Sequence, residues 1–205
     1  MTIKVATIIG ARPQYIKHSL LSKEIKKYKN IKDYIILTGQ HYDFNMSKIF
    51  EKELKISKPF ANLNINKNSS INNIAKTILK LEKILISLNL DFVLVYGDTD
   101  TTLSGAIVAK KLNIPIIHVE SGLRSYDQSM PEEQNRIIVD RISDFLITPT
   151  SLATENLIKE GVNKRKIFNF GDIMYETWLH FKKQIKDHNY VLKKYNIEKN
   201  KDNLL

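Results

Sequence analysis

Five short, nearly uninterrupted apolar runs, at 5–9, 34–37, 92–96, 114–119 and 145–147, are separated by longer segments in which Ile and Leu return every three or four positions. That alternation restricts the chain to βα units wound around a parallel sheet. A run such as Phe92-Val93-Leu94-Val95-Tyr96 has no polar face, so it must be buried on both sides and helices must cover both. Ile167-Phe168-Asn169-Phe170 adds another strand. Helical period is clearest in Ile71, Ile74, Ile78, Leu81, Ile84, Leu85 and Leu88, and the Asn/Ser/Lys-rich stretch before it, 62–70, reads as a surface loop. The expected fold class is α/β, a Rossmann-like parallel sheet with helices on both faces.

Composition removes several functions. At 205 residues and 42% hydrophobic the chain can bury a full core, which excludes disorder. No stretch approaches the ~20 apolar residues of a membrane span, and Met1 leads directly into a strand-like run with no signal peptide ahead of it. A cytoplasmic location and no membrane partner are expected. The absence of Cys excludes disulfides, thiolate metal sites and Cys-based catalysis. The net charge of +10 invites a nucleic-acid reading, but of 32 basic residues five are Arg, so the other 27 are Lys, scattered from Lys4 to Lys201. A nucleic-acid binder gathers Arg and aromatics into one stripe. The charge therefore bears on solubility, and no nucleic-acid partner is expected.

Ligands of a doubly wound sheet bind beyond the carboxyl ends of the strands, which directs attention to the residues after each apolar run. The first run leads into Gly10-Ala11-Arg12-Pro13-Gln14-Tyr15-Ile16-Lys17. Gly10 permits a tight turn, Pro13 suits a helix start, and the N–H groups of that start favour an anion with Arg12 and Lys17 as cations beside it. The block is neither G-x-G-x-x-G nor a P-loop, which argues against dinucleotide binding and ATP hydrolysis. Gln40 and His41 follow the second run and can reach a ligand or an interface. Asp98 lies at the tip of the third run, before Thr99 and Asp100, either of which can cap the next helix. Glu120 follows the fourth run, where a partly buried carboxylate needs a partner. Pro131-Glu132-Glu133 opens a helix with acids in its first turn, and Glu132 and Arg136 have the spacing of an i,i+4 pair.

Taken together, Gly10–Lys17, Thr38-Gly39-Gln40-His41, Gly97-Asp98-Thr99, His118-Val119-Glu120-Ser121-Gly122-Leu123-Arg124, Pro131–Arg136 and Pro149-Thr150 resemble, in order and separation, the blocks of the non-hydrolysing UDP-N-acetylglucosamine 2-epimerases. Gly-Ala-Arg-Pro-Gln, Tyr42-Asp43 and Ser125-Tyr126-Asp127 look closer to the subgroup acting on UDP-2,3-diacetamido-2,3-dideoxy-glucuronate. The resemblance implies the amino-terminal half of a GT-B-like two-domain fold, with 1–175 as the Rossmann-like domain and 176–205 as a helix or linker toward a second domain. It implies a UDP-sugar substrate, C2 inversion by elimination and re-addition of UDP, no cofactor and no metal, a role in bacterial polysaccharide precursor synthesis, and a homodimer when intact. Asp98, Glu120 and Glu132 are its implied catalytic carboxylates; Arg12, Lys17, Gln40, His41 and Arg136 are its implied substrate-binding residues. Ser121 stands where the family usually has Ala. The family's later His-Arg-x-Glu-Asn block does not follow before Leu205, so the 205 residues by themselves are expected to be inactive or nearly so. Two alternatives stand beside this reading, half of a GT-B glycosyltransferase and a non-catalytic truncated remnant. The epimerase expectation requires Arg12, Lys17, Asp98, Glu120 and Glu132 to gather at one rim of the sheet.

Overall fold

A computed structural model describes residues 1–39, 54, 56–65 and 69–182. In chain order its elements are β1 (Ile3–Ile9), α1 (Arg12–Ile25), β2 (Ile31–Leu37), β3 (Ala61–Asn62), α2 (Ser70–Leu88), β4 (Phe92–Tyr96), α3 (Asp100–Lys111), β5 (Ile116–Val119), α4 (Pro131–Ile142), β6 (Phe145–Thr148), α5 (Ser151–Lys159), β7 (Ile167–Asn169) and α6 (Ile173–Phe181). The seven strands form one parallel sheet in the order β3-β2-β1-β4-β5-β6-β7. The α/β arrangement read from the apolar runs is therefore present, with β7 at the Ile167 run.

Strand parity divides the core. Ala6, Ile8, Val93, Val95 and Ile116 face Leu81 and Leu85 of α2, Ala106 and Ala109 of α3 and Val139 of α4. Leu94, Tyr96, Ile117, Val119 and Ile147 face the other way, where Leu21 of α1 and Ile173 of α6 cover them. The central strands β1, β4 and β5 are thus buried on both faces, as continuous apolarity demands. Local chemistry sets the helix ends: the hydroxyls of Ser69, Thr99 and Thr150 accept the backbone N–H groups of Asn72, Thr102 and Ala153, and Asn89 closes α2 in the left-handed conformation that Asn tolerates.

Two expectations are corrected. Ile71 is 80% exposed, because the innermost row of α2 is Asn73, Thr77, Leu81 and Leu85, which is polar for its first two members. Nor is 62–70 a surface loop throughout, since Leu63 and Ile65 are buried in the main core and Ser70 already opens α2. The helix or linker expected over 176–205 is described only as far as Lys182, and residues 183–205 lie outside the described residues.

Candidate active site at the carboxyl rim

Pairing register levels the rim. Thr7 lies opposite Leu94, and Tyr96 opposite Val119, so the segments after β1, β4 and β5 leave the sheet side by side. From here α1 turns to one face and α3 to the other, which opens a crevice where the strand order reverses. Gly10 sits in that crevice against two threonines that hydrogen-bond each other, Thr38 and Thr101, Oγ1 to Oγ1 at 2.9 Å. A Cβ at Gly10 would fall inside contact distance of both hydroxyl oxygens. Gly10→Ala is therefore expected to destabilise the fold by about 1–3 kcal/mol, the usual cost of overpacking, read as a lower urea midpoint.

Gln14 joins the first and third loops. Its Oε1 accepts from the N–H groups of Gly10 (2.7 Å) and Ala11 (3.0 Å), half of a capping box. Its Nε2 donates to the Tyr96 carbonyl (2.8 Å) and reaches the Thr99 and Thr102 hydroxyls, each at 3.1 Å. Every polar atom of this buried amide is used. The loop bearing Arg12 is consequently tied to the loop bearing Asp98.

Charged side chains then meet across the rim. Lys17, buried on α1, forms an ion pair with Glu120. Arg136 of α4 pairs with Asp98 and lies 3.2 Å from Glu133 Oε2. Asn135 Nδ2 donates to the Asp98 carbonyl at 2.9 Å, which brings α4 against the β4 loop. Glu133 is fully buried and accepts from the Ser125 and Tyr126 amides at 2.9 and 3.0 Å. Burial works against its charge, but those two amides, with Ser125 and Arg136, more than reverse the effect and hold its carboxyl below the ordinary range.

Glu120 itself is unusual, a bulky residue at φ +70°. Non-glycine residues in this region are uncommon and concentrate at sites where surrounding contacts enforce them. Here the N–H groups of Glu120 and Ser121 both donate to the Ile147 carbonyl, at 3.0 and 3.1 Å. The carboxylate lies against the β4 loop, for a Cβ built on Gly97 would be 3.3 Å from Glu120 Oε2.

Of the residues singled out in the sequence, Lys17, Asp98, Glu120 and Arg136 are thus drawn into two ion pairs on neighbouring strand tips. Arg12 and Glu132 open α1 and α4 at the same rim, both exposed. The expected Glu132–Arg136 pair is not formed: Arg136 is turned to Asp98 and Glu133 instead. Thr99, rather than Asp100, caps α3. Gln40 and His41 lie outside the described residues. Gln14, Glu133 and Asp140, the last a buried α4 carboxylate beside His118 and Arg124, were not among the site residues expected from sequence. Gln14 had a signal in its capping-box position, three residues after Ala11.

Comparison with known proteins finds relatives over most of the chain. The family model for UDP-N-acetylglucosamine 2-epimerase matches residues 23–205. A UDP-N-acetylglucosamine 2-epimerase homolog of Methanococcus maripaludis is 50% identical over 97% of this chain and 55% of its own length. The UDP-2,3-diacetamido-2,3-dideoxy-D-glucuronate 2-epimerase of Pseudomonas aeruginosa is 45% identical over 87% of this chain and 51% of its own. The crystal structure of Methanocaldococcus jannaschii UDP-GlcNAc 2-epimerase in complex with UDP-GlcNAc and UDP superposes with a TM-score of 0.88 at 42% identity, covering 93% of this chain and 53% of that one. The chain spans about half the length of the relatives it matches. With a rim of paired acids and cations on the amino-terminal half of a GT-B-like fold, and these likenesses over nearly its whole length, the chain belongs to the UDP-N-acetylglucosamine 2-epimerase family.

Proposed function

We propose that this chain supplies the reacting carboxylates of a UDP-HexNAc 2-epimerase. The observation that carries the reading is the pair of ion pairs, Lys17–Glu120 and Arg136–Asp98, on adjacent strand tips beside the β1/β4 crevice. Inversion at C2 breaks a C–H bond that no neighbouring carbonyl activates, so a positioned carboxylate must take the proton while the C1–O bond breaks and UDP leaves with the electron pair. Cations stabilise the departing diphosphate; Arg12, Lys17 and Arg136 are assigned there, with Gln40 and His41 as further substrate contacts. Reprotonation of the resulting glycal on its other face, then return of UDP, completes inversion. That step asks for a second acid, and Asp98, Glu120 and Glu132 together provide groups for both faces. The reaction needs neither a metal nor a redox cofactor.

The likeness to the Pseudomonas aeruginosa enzyme supports UDP-2,3-diacetamido-2,3-dideoxy-glucuronate as a substrate to assay beside UDP-N-acetylglucosamine. The same reading puts the protein in the cytoplasm, pairs it as a homodimer when intact, sets a domain boundary near residue 175, and gives it a place in polysaccharide precursor synthesis. Residues 1–205 by themselves are expected to turn over little. The test is deuterium incorporation at C2 in deuterated water, measured for this chain and for this chain joined to the carboxyl-terminal half of the Methanocaldococcus jannaschii relative. Exchange is expected from the joined protein and near background from the chain. Robust exchange by the chain would overturn the inactivity, and no exchange with any UDP-HexNAc from a folded joined protein would overturn the assignment.

A further inference from the structure

The turn that carries Glu120 is gathered around a buried carboxylate on a different element. Asp140, on the last turns of α4, is 2% exposed. Its Oδ1 lies 2.7 Å from His118 Nδ1, and its Oδ2 accepts from the Gly122 N–H at 3.1 Å and from the Arg124 guanidinium at 2.8 Å. These partners stand two residues before Glu120 and two and four residues after it. Between them the backbone passes through φ +70° at Glu120 and φ +79° at Gly122. The other nitrogen of His118 donates to the Gly97 carbonyl at 2.7 Å, next to Asp98 in the chain. One buried side chain thereby reaches the β5 loop directly and the β4 loop through His118, from the helix that also bears Arg136.

Packing does not require a charge at this position. Asp140 comes directly after Val139, which is itself wholly buried in the core, and a well-packed apolar side chain avoids the desolvation that a buried carboxylate suffers. What an apolar side chain cannot do is collect polar partners from residues 118, 122 and 124.

We propose that Asp140 is a positioning residue for Glu120: by holding His118, Gly122 and Arg124 it maintains the left-handed turn between them and aims the Glu120 carboxylate at Lys17 and the β4 loop. The proposal deepens the epimerase reading and rests on it for the importance of Glu120. Its geometric content is independent of any substrate.

The test is zero-length carbodiimide coupling of the 205-residue chain, with the amide between Lys17 and Glu120 quantified by peptide mass mapping. The wild-type chain is expected to couple. Asp140→Asn, shown folded by circular dichroism, places an amide N–H₂ against donors and is expected to lose about tenfold in coupling, the equivalent of roughly 1.4 kcal/mol in the population of the aimed state. Val139→Ala, which destabilises the neighbouring core without touching the loop, is expected to keep wild-type coupling. Should Asp140→Asn fail to fold, His118→Gln replaces a ring that bridges Asp140 and the Gly97 carbonyl with an amide whose single nitrogen cannot reach both, while Arg124 still neutralises Asp140, and a several-fold loss is expected. The proposal is overturned by absence of the wild-type cross-link, by wild-type coupling in a folded Asp140→Asn or His118→Gln chain, or by an equal loss in Val139→Ala. None of these results depends on sugar-nucleotide turnover, so failure here leaves the C2-exchange test standing, and the reverse.

Discussion

Glu120→Gln is expected to lower C2 exchange by the joined enzyme about 10²- to 10⁴-fold, the range that a positioned proton-transfer group supplies. Glutamine preserves the length of the side chain and can occupy the same left-handed backbone, so the loop's hydrogen bonds from Glu120 and Ser121 to Ile147 remain. What disappears is the capacity to accept the C2 proton that the proposed function gives to this carboxylate. The substitution also leaves Lys17 without its carboxylate partner, and a cation so released is free to meet the diphosphate. Affinity for UDP should accordingly hold within about threefold, under ~0.7 kcal/mol, or tighten. Deuterium incorporation and calorimetric titration with UDP separate the two effects. If exchange stays within tenfold of wild type, Glu120 is not the group that handles the proton; if UDP binding collapses with it, its role is in holding the substrate.

The sheet was legible because its signal is local: a strand buried on both faces is apolar at nearly every position, and such runs stand out at 5–9 and 92–96. Asp98, Glu120 and Lys17 were legible for a topological reason, since the sheet type says that strand tips and first helical turns line the crevice. Partners were not legible. Arg136 has acids at i−4 and i−3, and sequence spacing favours neither over Asp98, 38 residues away, which only tertiary packing brings to it. The same holds for Asp140, whose donors come from a segment 16 to 22 residues earlier. Of the apolar set that marked α2, Leu81 and Leu85 reach the core and Ile74, Ile78, Ile84 and Leu88 pack against it, while Ile71 is exposed because the inward row begins with Asn73 and Thr77.

Arg124→Met is expected to destabilise the fold by about 3–5 kcal/mol at neutral pH, the usual result of removing one member of a buried ion pair. The Arg124 side chain is 1% exposed, grips Glu160 through Nε and Nη2 at 2.6 Å each, and reaches Asp140 through Nη1 at 2.8 Å. Burial opposes its charge, yet Glu160 and Asp140 more than compensate and raise its pKa above the ordinary arginine value, so it is charged at every pH the fold survives. Methionine fills similar volume without the charge. At roughly 2–4 °C per kcal/mol for a domain of this size, the loss amounts to a fall of about 6–20 °C in Tm. The pH dependence has a definite sign. Asp140 is disfavoured as an anion by burial, but His118 and Arg124 overcome this and depress its carboxyl below the ordinary value. A depressed carboxylate contributes stability that is complete above its unfolded pKa, near ~4, and is lost as pH falls through the lower folded value. Removing Arg124 takes away two of the supporting causes and leaves His118 and the Gly122 N–H, so the Asp140 carboxyl rises in the variant and protonation relieves its less supported charge. The difference between wild type and Arg124→Met should therefore be largest near pH 7 and shrink below about pH 4, as urea midpoints at the two pH values would show. A difference that widens toward acid would mean that Arg124 does not hold the Asp140 charge, and the tie between α4 and the Glu120 turn would have to be sought elsewhere.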